Sequence, residues 1–594
     1  MKKTVAERKQ ILHDIRKQMG KRQIDAYIVT MFDDHHSEYV SPDWRTIEWI
    51  SGFSGSAGTL VITSSEAALW TDGRYFIQAA TQIAGTGIKL VKDRIPGQPK
   101  IHEWILERCG KNARIAADGR TITISFDKTM SEHFECINWQ EDLVSFVWKN
   151  RPAESENPVF IHDVSFAGKS RMEKINAFRD QLSAFAEASL ITSLEDIAWI
   201  LNLRGSDVLN NPVFYAFLYV DVQGCVLFTD EVKLSAEIKQ LLAEDGIEWK
   251  DTETVYDFMR QLDPSALRRL HMDPGFANIL LKQAVPEGID LVLKPSPTLL
   301  MKAVKNKTEI DHLRQTAVTE GLALTRLSKW IKESALPDQV SEQAVAEKMH
   351  EIRKKGQHFI DDSFPTIAAF NANAAQMHYN PGNGASAVID RDGVLLVDTG
   401  GHYMGGTTDV TRTYMIGSPD LKIKEDFTLV LKSNIALSRP VFLQGTSGQQ
   451  LDVLARLPMW EKGLDYKCGT GHGVGYLLSV HEGPQSFSAN ASPVDLEPGM
   501  IITNEPGIYK EGLWGIRIEN MMLVKEAMKT EDGTFYQFET VSYCPIDLDG
   551  VLTEQLSQKE KDWLNQYHQD VYQKLSPFLD ASERDWLKIN TRPV

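Results

Sequence analysis

Two aspartates in the stretch Gly393–Gly417, GVLLVDTGGHYMGGTTDVTRTYMIG, stand in places that suit acids poorly. Asp398 follows Val394-Leu395-Leu396-Val397, and Asp409 lies inside Thr407–Tyr414; both runs are apolar and β-branched, with a Gly-rich turn between them, which is a hairpin pattern. Asp disfavours strand interiors, and an unpaired buried carboxylate is costly. Two of them, eleven positions apart on facing strands, point to a shared cation. Three later stretches add to the set. His472 lies in Gly469-Thr-Gly-His-Gly-Val-Gly475, where the glycines permit close approach. Glu505 ends the apolar run of Ile501-Ile-Thr-Asn-Glu-Pro-Gly507, and Glu519 lies in Gly515-Ile-Arg-Ile-Glu-Asn-Met-Met-Leu523, a predicted strand that puts Arg517 and Glu519 on one face.

Four carboxylates and one imidazole balance two divalent ions. Mostly oxygen donors with one nitrogen suit Mn, Fe(II), Co or Zn. Two such ions, ~3.5–4 Å apart, share a hydroxide and polarise a carbonyl, which is a recipe for hydrolysing an amide. Each residue also has a plainer reading. Asp398 can end a strand, Asp409 can face water, His472 can donate to backbone carbonyls, Glu505 can cap a turn, and Glu519 can pair with Arg517 on a solvent face. All five being incidental is the weaker account. His378, in Gln376-Met-His-Tyr-Asn-Pro-Gly382, and His481, in Ser479-Val-His-Glu-Gly-Pro484, are further candidates, because imidazole handles a proton or an oxyanion near neutrality. His35, His36 and His568 are expected in solvent.

The elements that must position these groups fall into three blocks. Residues 1–150 alternate helix and strand signals, with strands expected at Asp25–Thr30, Leu60–Ile62 and Ala67–Trp70. A polar segment bracketed by prolines, Asn150–Pro158, reads as a linker. Residues 159–305 echo the first block: Ala188–Thr192 matches Asp25–Thr30, and Leu227-Phe-Thr-Asp230 matches Leu69-Trp-Thr-Asp72, with an eight-residue insertion placed at Asp207–Phe214. Such spacing predicts a duplicated α/β domain. Residues 306–594 open with a helix capped by Thr308 and Asp311, turn strand- and Gly-rich from Phe364 to Leu523, and contain one more clear helix in the tail. Ser557 and Glu560 cap that helix, and Trp563, Tyr567, Val571 and Leu575 form its apolar stripe.

Composition narrows the function. A net charge of −17 argues against nucleic acid and anionic membranes as partners. No apolar run reaches the ~20 residues of a membrane span. Five scattered cysteines without CxxC spacing read as reduced thiols, and the charged amphipathic N-terminus does not read as a signal peptide, so a cytoplasmic protein is expected.

The segments VDTGGHYMGGTTDVTRT, GTGHGVGYLLSVHEGP, ITNEPGIY and GIRIENMMLV together resemble the "pita-bread" metallopeptidases, the family of methionine aminopeptidase, prolidase and aminopeptidase P. The resemblance implies a dinuclear ligand set of Asp398, Asp409, His472, Glu505 and Glu519. Two creatinase-like α/β domains ahead of the pita-bread domain, an α/β and α+β multidomain architecture, resemble the long, cytosolic Xaa-Pro aminopeptidases, as do WTDGRYFIQAA around Arg74 and RGSDVLNNPVF around Arg204. That likeness implies cleavage before a penultimate proline in peptides, two Mn ions (Co or Zn being alternatives) and a homodimer. It also implies roles for Glu505 as proton relay, for His378 and His481 in holding substrate and stabilising the tetrahedral intermediate, and for Arg74 in peptide binding. Arg74 can instead serve a salt bridge to Asp72. Prolidase is the nearest alternative, and a non-catalytic peptide-binding module is another. One position departs from the pattern: Cys468 stands where some relatives carry histidine, which puts that substrate contact in doubt.

Overall fold

The computed structural model describes residues 3–383 and 386–594, and the chain divides into two compact units, 1–162 with 169–299, and 163–168 with 300–594. The N-terminal unit holds two six-stranded sheets. The first comprises β1 (Ala26–Thr30), β2 (Thr59–Thr63), β3 (Ala67–Thr71), β4 (Lys89–Lys92), β5 (Ile115–Ala116) and β6 (Ile137–Asn138), in the order β4-β3-β2-β1-β5-β6. The second comprises β7 (Ala188–Ile191), β8 (Phe217–Asp221), β9 (Cys225–Phe228), β10 (Ile247–Lys250), β11 (Arg269–Met272) and β12 (Asp290–Leu293), in the order β10-β9-β8-β7-β11-β12. Each sheet has antiparallel pairing among its first three strands in sequence and parallel pairing elsewhere. The duplication expected from the repeats is therefore a repeat of topology. Asp207–Phe214 runs outside helix and strand apart from one bridge, Val208 to Asn211.

The C-terminal unit is built on α1 (Lys307–Ser334). Its cap differs from the expectation: Asn306 accepts from Glu309 N at 3.1 Å and Glu309 returns the bond to Asn306 N at 2.8 Å. Asn is as good a cap as Thr, and starting two residues earlier leaves Asp311 to pair with Lys307 one turn back. Leu313, Ala317 and Leu324 lie on the buried face, and Leu324, Leu327 and Ile331 pack against Leu395, Val397 and Tyr414 of a three-stranded sheet. That sheet is β13 (Ile367–Phe370), β14 (Gly393–Thr399) and β15 (Val410–Ile416), all antiparallel, with Asp398 opposite Thr411. A four-stranded sheet includes β16 (Ile501–Asn504) and β19 (Asn520–Thr530); β17 (Gly507–Lys510) and β18 (Trp514–Arg517) form a separate hairpin.

The expected single strand through Glu519 is thus broken. β18 stops at Arg517 and β19 starts at Asn520, because the Glu519 N–H donates to the Thr411 carbonyl at 3.1 Å instead of to a ladder partner. Glu505 sits at the matching gap between β16 and β17. Both glutamates therefore lie where two facing strands change sheets. The tail carries α2 (Gln558–Leu575), capped by Ser557 and Glu560, with Tyr567, Val571 and Leu575 buried and Trp563 partly so, and a further helix, Ala581–Asn590, follows it. Burial of each such side chain stabilises the unit by about 1.5–3 kcal/mol. No helix among the described residues is long and apolar enough to cross a membrane.

Candidate metal centre

Asp398, at the end of β14, and Asp409, just ahead of β15, are 8% and 4% exposed. His472 is presented by a two-residue strand, Gly471–His472, paired with Ser486–Phe487. Its flanks must be glycine: a Cβ on Gly471 would stand 1.9 Å from the Thr503 carbonyl oxygen, and one on Gly473 would stand 2.0 Å from that of Glu482. The His472 Nδ1 lies 2.9 Å from the Gly473 carbonyl. A carbonyl only accepts, so Nδ1 carries the proton and Nε2 offers its lone pair, the usual arrangement of a metal-ligating imidazole. That Nε2 is 3.4 Å from Asp409 Oδ2 and 3.5 Å from Glu505 Oε1. Ligand atoms of Asp409, His472 and Glu519 all lie within 4.8 Å of one another. Glu505 is held by its N–H on the Thr470 carbonyl at 2.8 Å.

Asp398 joins through Arg517. The guanidinium donates from Nη2 to Asp398 Oδ2, from Nε to Thr411 Oγ1 at 3.0 Å and from Nη1 to Tyr509 Oη at 2.7 Å, and its Nε stands 4.0 Å from Glu505 Oε2. Thr411 in turn donates to Glu519 Oε2 at 2.7 Å. The sequence offered Glu519 as the partner of Arg517; the guanidinium instead bonds Asp398 and reaches Glu519 only through the Thr411 hydroxyl. Thr411 and Tyr509 carried no sequence signal beyond strand periodicity.

Four carboxylates here face one guanidinium. Burial pushes the Asp409 and Glu519 carboxyls well above the usual range, and repulsion from the neighbouring acids pushes them further. Asp398 Oδ1 is buried and meets no hydrogen-bond donor among the described residues. A buried acceptor without a donor, excess negative charge and an imidazole lone pair aimed into the cluster together fit divalent cations. A second cluster of His350, Asp361 and Asp362 is a poorer candidate, because Asp362 is already engaged by Arg353 and His350.

The His481 ring meets that of His472 edge-on, with centroids 4.4 Å apart, and stacks with His378 at 6.4 Å. Both candidate histidines therefore border the cluster. Arg74 belongs to the N-terminal unit, where it forks onto Asp72 (Nε to Oδ1 at 3.0 Å, Nη2 to Oδ2 at 2.8 Å) and lies 3.4 Å from Glu38. Cys468 is partly buried, and Arg456 donates to its carbonyl at 2.7 Å. Two histidines expected in solvent are buried. His35 Nδ1 lies 2.8 Å from the Thr192 carbonyl, and His568 Nε2 accepts from Ile546 N at 3.1 Å.

Comparison with known proteins identifies relatives of the whole chain. The profile of metallopeptidase family M24 matches residues 311–526, and that of the C-terminal region of peptidase M24 matches 534–594. Two profiles of the creatinase/prolidase N-terminal domain match 12–145 and 150–309. The chain is 37% identical to a probable Xaa-Pro aminopeptidase P of Aspergillus flavus, over 98% of this chain and 92% of that one. It is also 37% identical to aminopeptidase P2 of Arabidopsis thaliana, over 96% and 86%. Among solved structures, an X-prolyl aminopeptidase from Caenorhabditis elegans, described as a cytosolic enzyme with a di-nuclear active site, superposes with a TM-score of 0.95 at 30% identity over the whole of both chains. An Xaa-Pro dipeptidase from Bacillus anthracis, 24% identical with a TM-score of 0.51 over 64% of this chain and 99% of its own, shares the fold.

Proposed function

The chain belongs to the aminopeptidase P members of metallopeptidase family M24, and from that premise we infer that it is a metal-dependent exopeptidase that hydrolyses the bond between an N-terminal residue and a penultimate proline in peptides. The observation that carries the site is the convergence of Asp409, His472 and Glu519 beside the donor-less oxygen of Asp398. Asp398, Asp409, His472, Glu505 and Glu519 would hold two divalent metal ions. When bound, such a pair supplies a nucleophilic water at neutral pH and polarises the scissile carbonyl.

The side chains supply the rest. Glu505 is the least buried of the carboxylates in the cluster, with its side chain 22% exposed, so it suits taking the proton of the attacking water and delivering it to the departing proline nitrogen. His378 and His481 hold the peptide and donate to the oxygen that gains charge as the carbonyl becomes tetrahedral. The oxygen-rich donor set favours Mn, with Co or Zn as alternatives. The role of Arg74 in peptide binding rests on its motif, and its test is a raised KM at unchanged metal content in Arg74→Ala.

The three-part division at 1–150, 159–305 and 306–594 is part of this reading, as is a cytoplasmic setting, which five reduced cysteines suit. So is a homodimer: Val453, Leu457 and Trp460 are 42%, 49% and 48% exposed along the helix Gly448–Trp460, at spacings that put them on one side. A second copy of the chain would cover that stripe, and Leu457→Asp should leave a monomer in sedimentation.

The deciding experiment compares an Xaa-Pro-Pro tripeptide with an Xaa-Pro dipeptide on Mn-loaded protein of measured metal content. Release of the first residue from the tripeptide is expected. Turnover of the dipeptide alone would make the chain a prolidase, and a metal-free, inactive protein that Mn does not rescue would make it a binding module.

A further inference from the structure

Arg412 is 2% exposed, yet among the described residues no carboxylate is one of its hydrogen-bond partners. Its Nη1 donates to the Glu519 carbonyl at 2.6 Å and the Thr411 carbonyl at 2.8 Å. Its Nη2 donates to Tyr567 Oη at 2.6 Å, Asn520 Oδ1 at 2.8 Å and the Cys544 carbonyl at 2.9 Å, and its Nε to the Pro545 carbonyl at 3.2 Å. A guanidinium has five N–H donors in a fixed plane, and here all of its nitrogens are committed. Burying a cation without a counter-charge is costly and persists only where dipoles converge on it. These dipoles come from three segments: the strand after Asp409, the sheet-changing point at Glu519, and the tail beyond β19.

Tyr567 makes the link to the tail rigid. It sits on α2, its hydroxyl lies 2.8 Å from the Cys544 carbonyl and 3.0 Å from that of Ser542, and the Trp563 ring stacks on its face with centroids 5.4 Å apart. The region matched as a separate C-terminal extension thus reaches, through one hydroxyl and one guanidinium, the backbone of Glu519.

We propose that Arg412 and Tyr567 are positioning residues of the metal centre: the guanidinium fixes the Glu519 backbone so that its carboxylate meets Asp409 and His472, and α2 holds the guanidinium in place. This rests on Glu519 being a ligand. A role confined to anchoring the tail would instead show in thermal stability alone.

The test uses the full chain, stripped with a chelator and titrated calorimetrically with Mn2+, with the metal-free melting temperature recorded for each variant. Tyr567→Phe, which keeps the ring and its stack, should bind Mn2+ about tenfold more weakly at a melting temperature close to the parent's, since losing a group that orients a ligand costs roughly 10–100-fold in affinity. Arg412→Lys should weaken binding further; if it does not fold, Tyr567→Phe carries the test. Leu575→Ala, at a fully buried position of the same helix, should lower the melting temperature and leave affinity unchanged. Parental affinity in Tyr567→Phe, or an equal loss in Leu575→Ala, would overturn the proposal. Glu519→Gln separates the two readings. If it loses metal while Tyr567→Phe does not, only the positioning role fails; if it binds like the parent, the ligand assignment fails and the positioning role with it.

Discussion

Arg517 bonds Asp398 through Nη2 while its Nε stands 4.0 Å from Glu505, so one buried guanidinium answers two of the four clustered carboxylates. Removing one partner of a buried ion pair costs about 3–5 kcal/mol, because the other is left charged and unpaired. Arg517→Met should therefore destabilise the metal-free protein by about that much. The loss should be smaller with Mn2+ present, since bound cations take up the same negative charge. Thermal scans with and without chelator measure both, and an equal loss in the two conditions would count against the cluster as a cation site.

Asp409→Asn keeps the shape of a side chain that is 4% exposed and removes its charge. Metal content and turnover should fall together, by more than the roughly 10–100-fold that an outer-shell change costs. Thermal unfolding of the two N-terminal sheets should be unaffected. Normal Mn content and rate would show that the five side chains are not a ligand set.

The pH dependence follows from Asp409 and Glu519, whose carboxyls are held well above the usual range by burial and mutual repulsion. Because their folded-state pKa values are raised, the pair's contribution to metal-free stability is full below the ordinary carboxylate pKa. It is lost as pH rises through the raised values. Divalent cations displace those protons and spare the loaded protein that loss. The gap in melting temperature between loaded and stripped protein should therefore widen from acid towards neutral pH. Titrations in buffers of different protonation enthalpy should record proton release on Mn2+ binding.

His481→Ala and His378→Ala test the imidazoles that border the cluster. Each should lower kcat/KM by about 10²–10³, the range for removing one donor to a developing oxyanion, at unchanged metal stoichiometry. Loss of metal in either variant would move that histidine from substrate contact to metal binding.

What the sequence made legible was whatever broke a local rule. Asp398 and Asp409 interrupt β-branched runs, and Gly471 and Gly473, on either side of His472, are forced by backbone approaches of 2.0 Å or less to a would-be Cβ. Both could be read because the anomaly lies within a few residues. The repeated Leu-aromatic-Thr-Asp segments likewise marked the third strands of two sheets of like topology. Long-range partners were not legible. Arg412 reads as an ordinary alternate residue of a strand, and nothing nearby announces that its acceptors lie up to 155 positions away. His568 reads as solvated in the sequence. Tertiary packing instead uses its ring as an acceptor for Ile546 N, and burial pushes its pKa down to about 3. The strand through Glu519 was read as continuous because alternation persists across the point where its hydrogen bonds change partner.

The Thr411 hydroxyl has a single proton, and its two neighbours dictate where that proton goes. Arg517 Nε can only give, so Thr411 must accept from it and spend its own hydrogen on Glu519 Oε2. The relay therefore has a fixed polarity, from arginine to carboxylate, and Oε2 is reserved as a proton-free oxygen. Any hydrogen that Asp409 and Glu519 share must sit on the other Glu519 oxygen or on Asp409 itself. Valine would fit the same space, but it would leave one N–H of Arg517 without a recipient and one carboxylate oxygen without a guard.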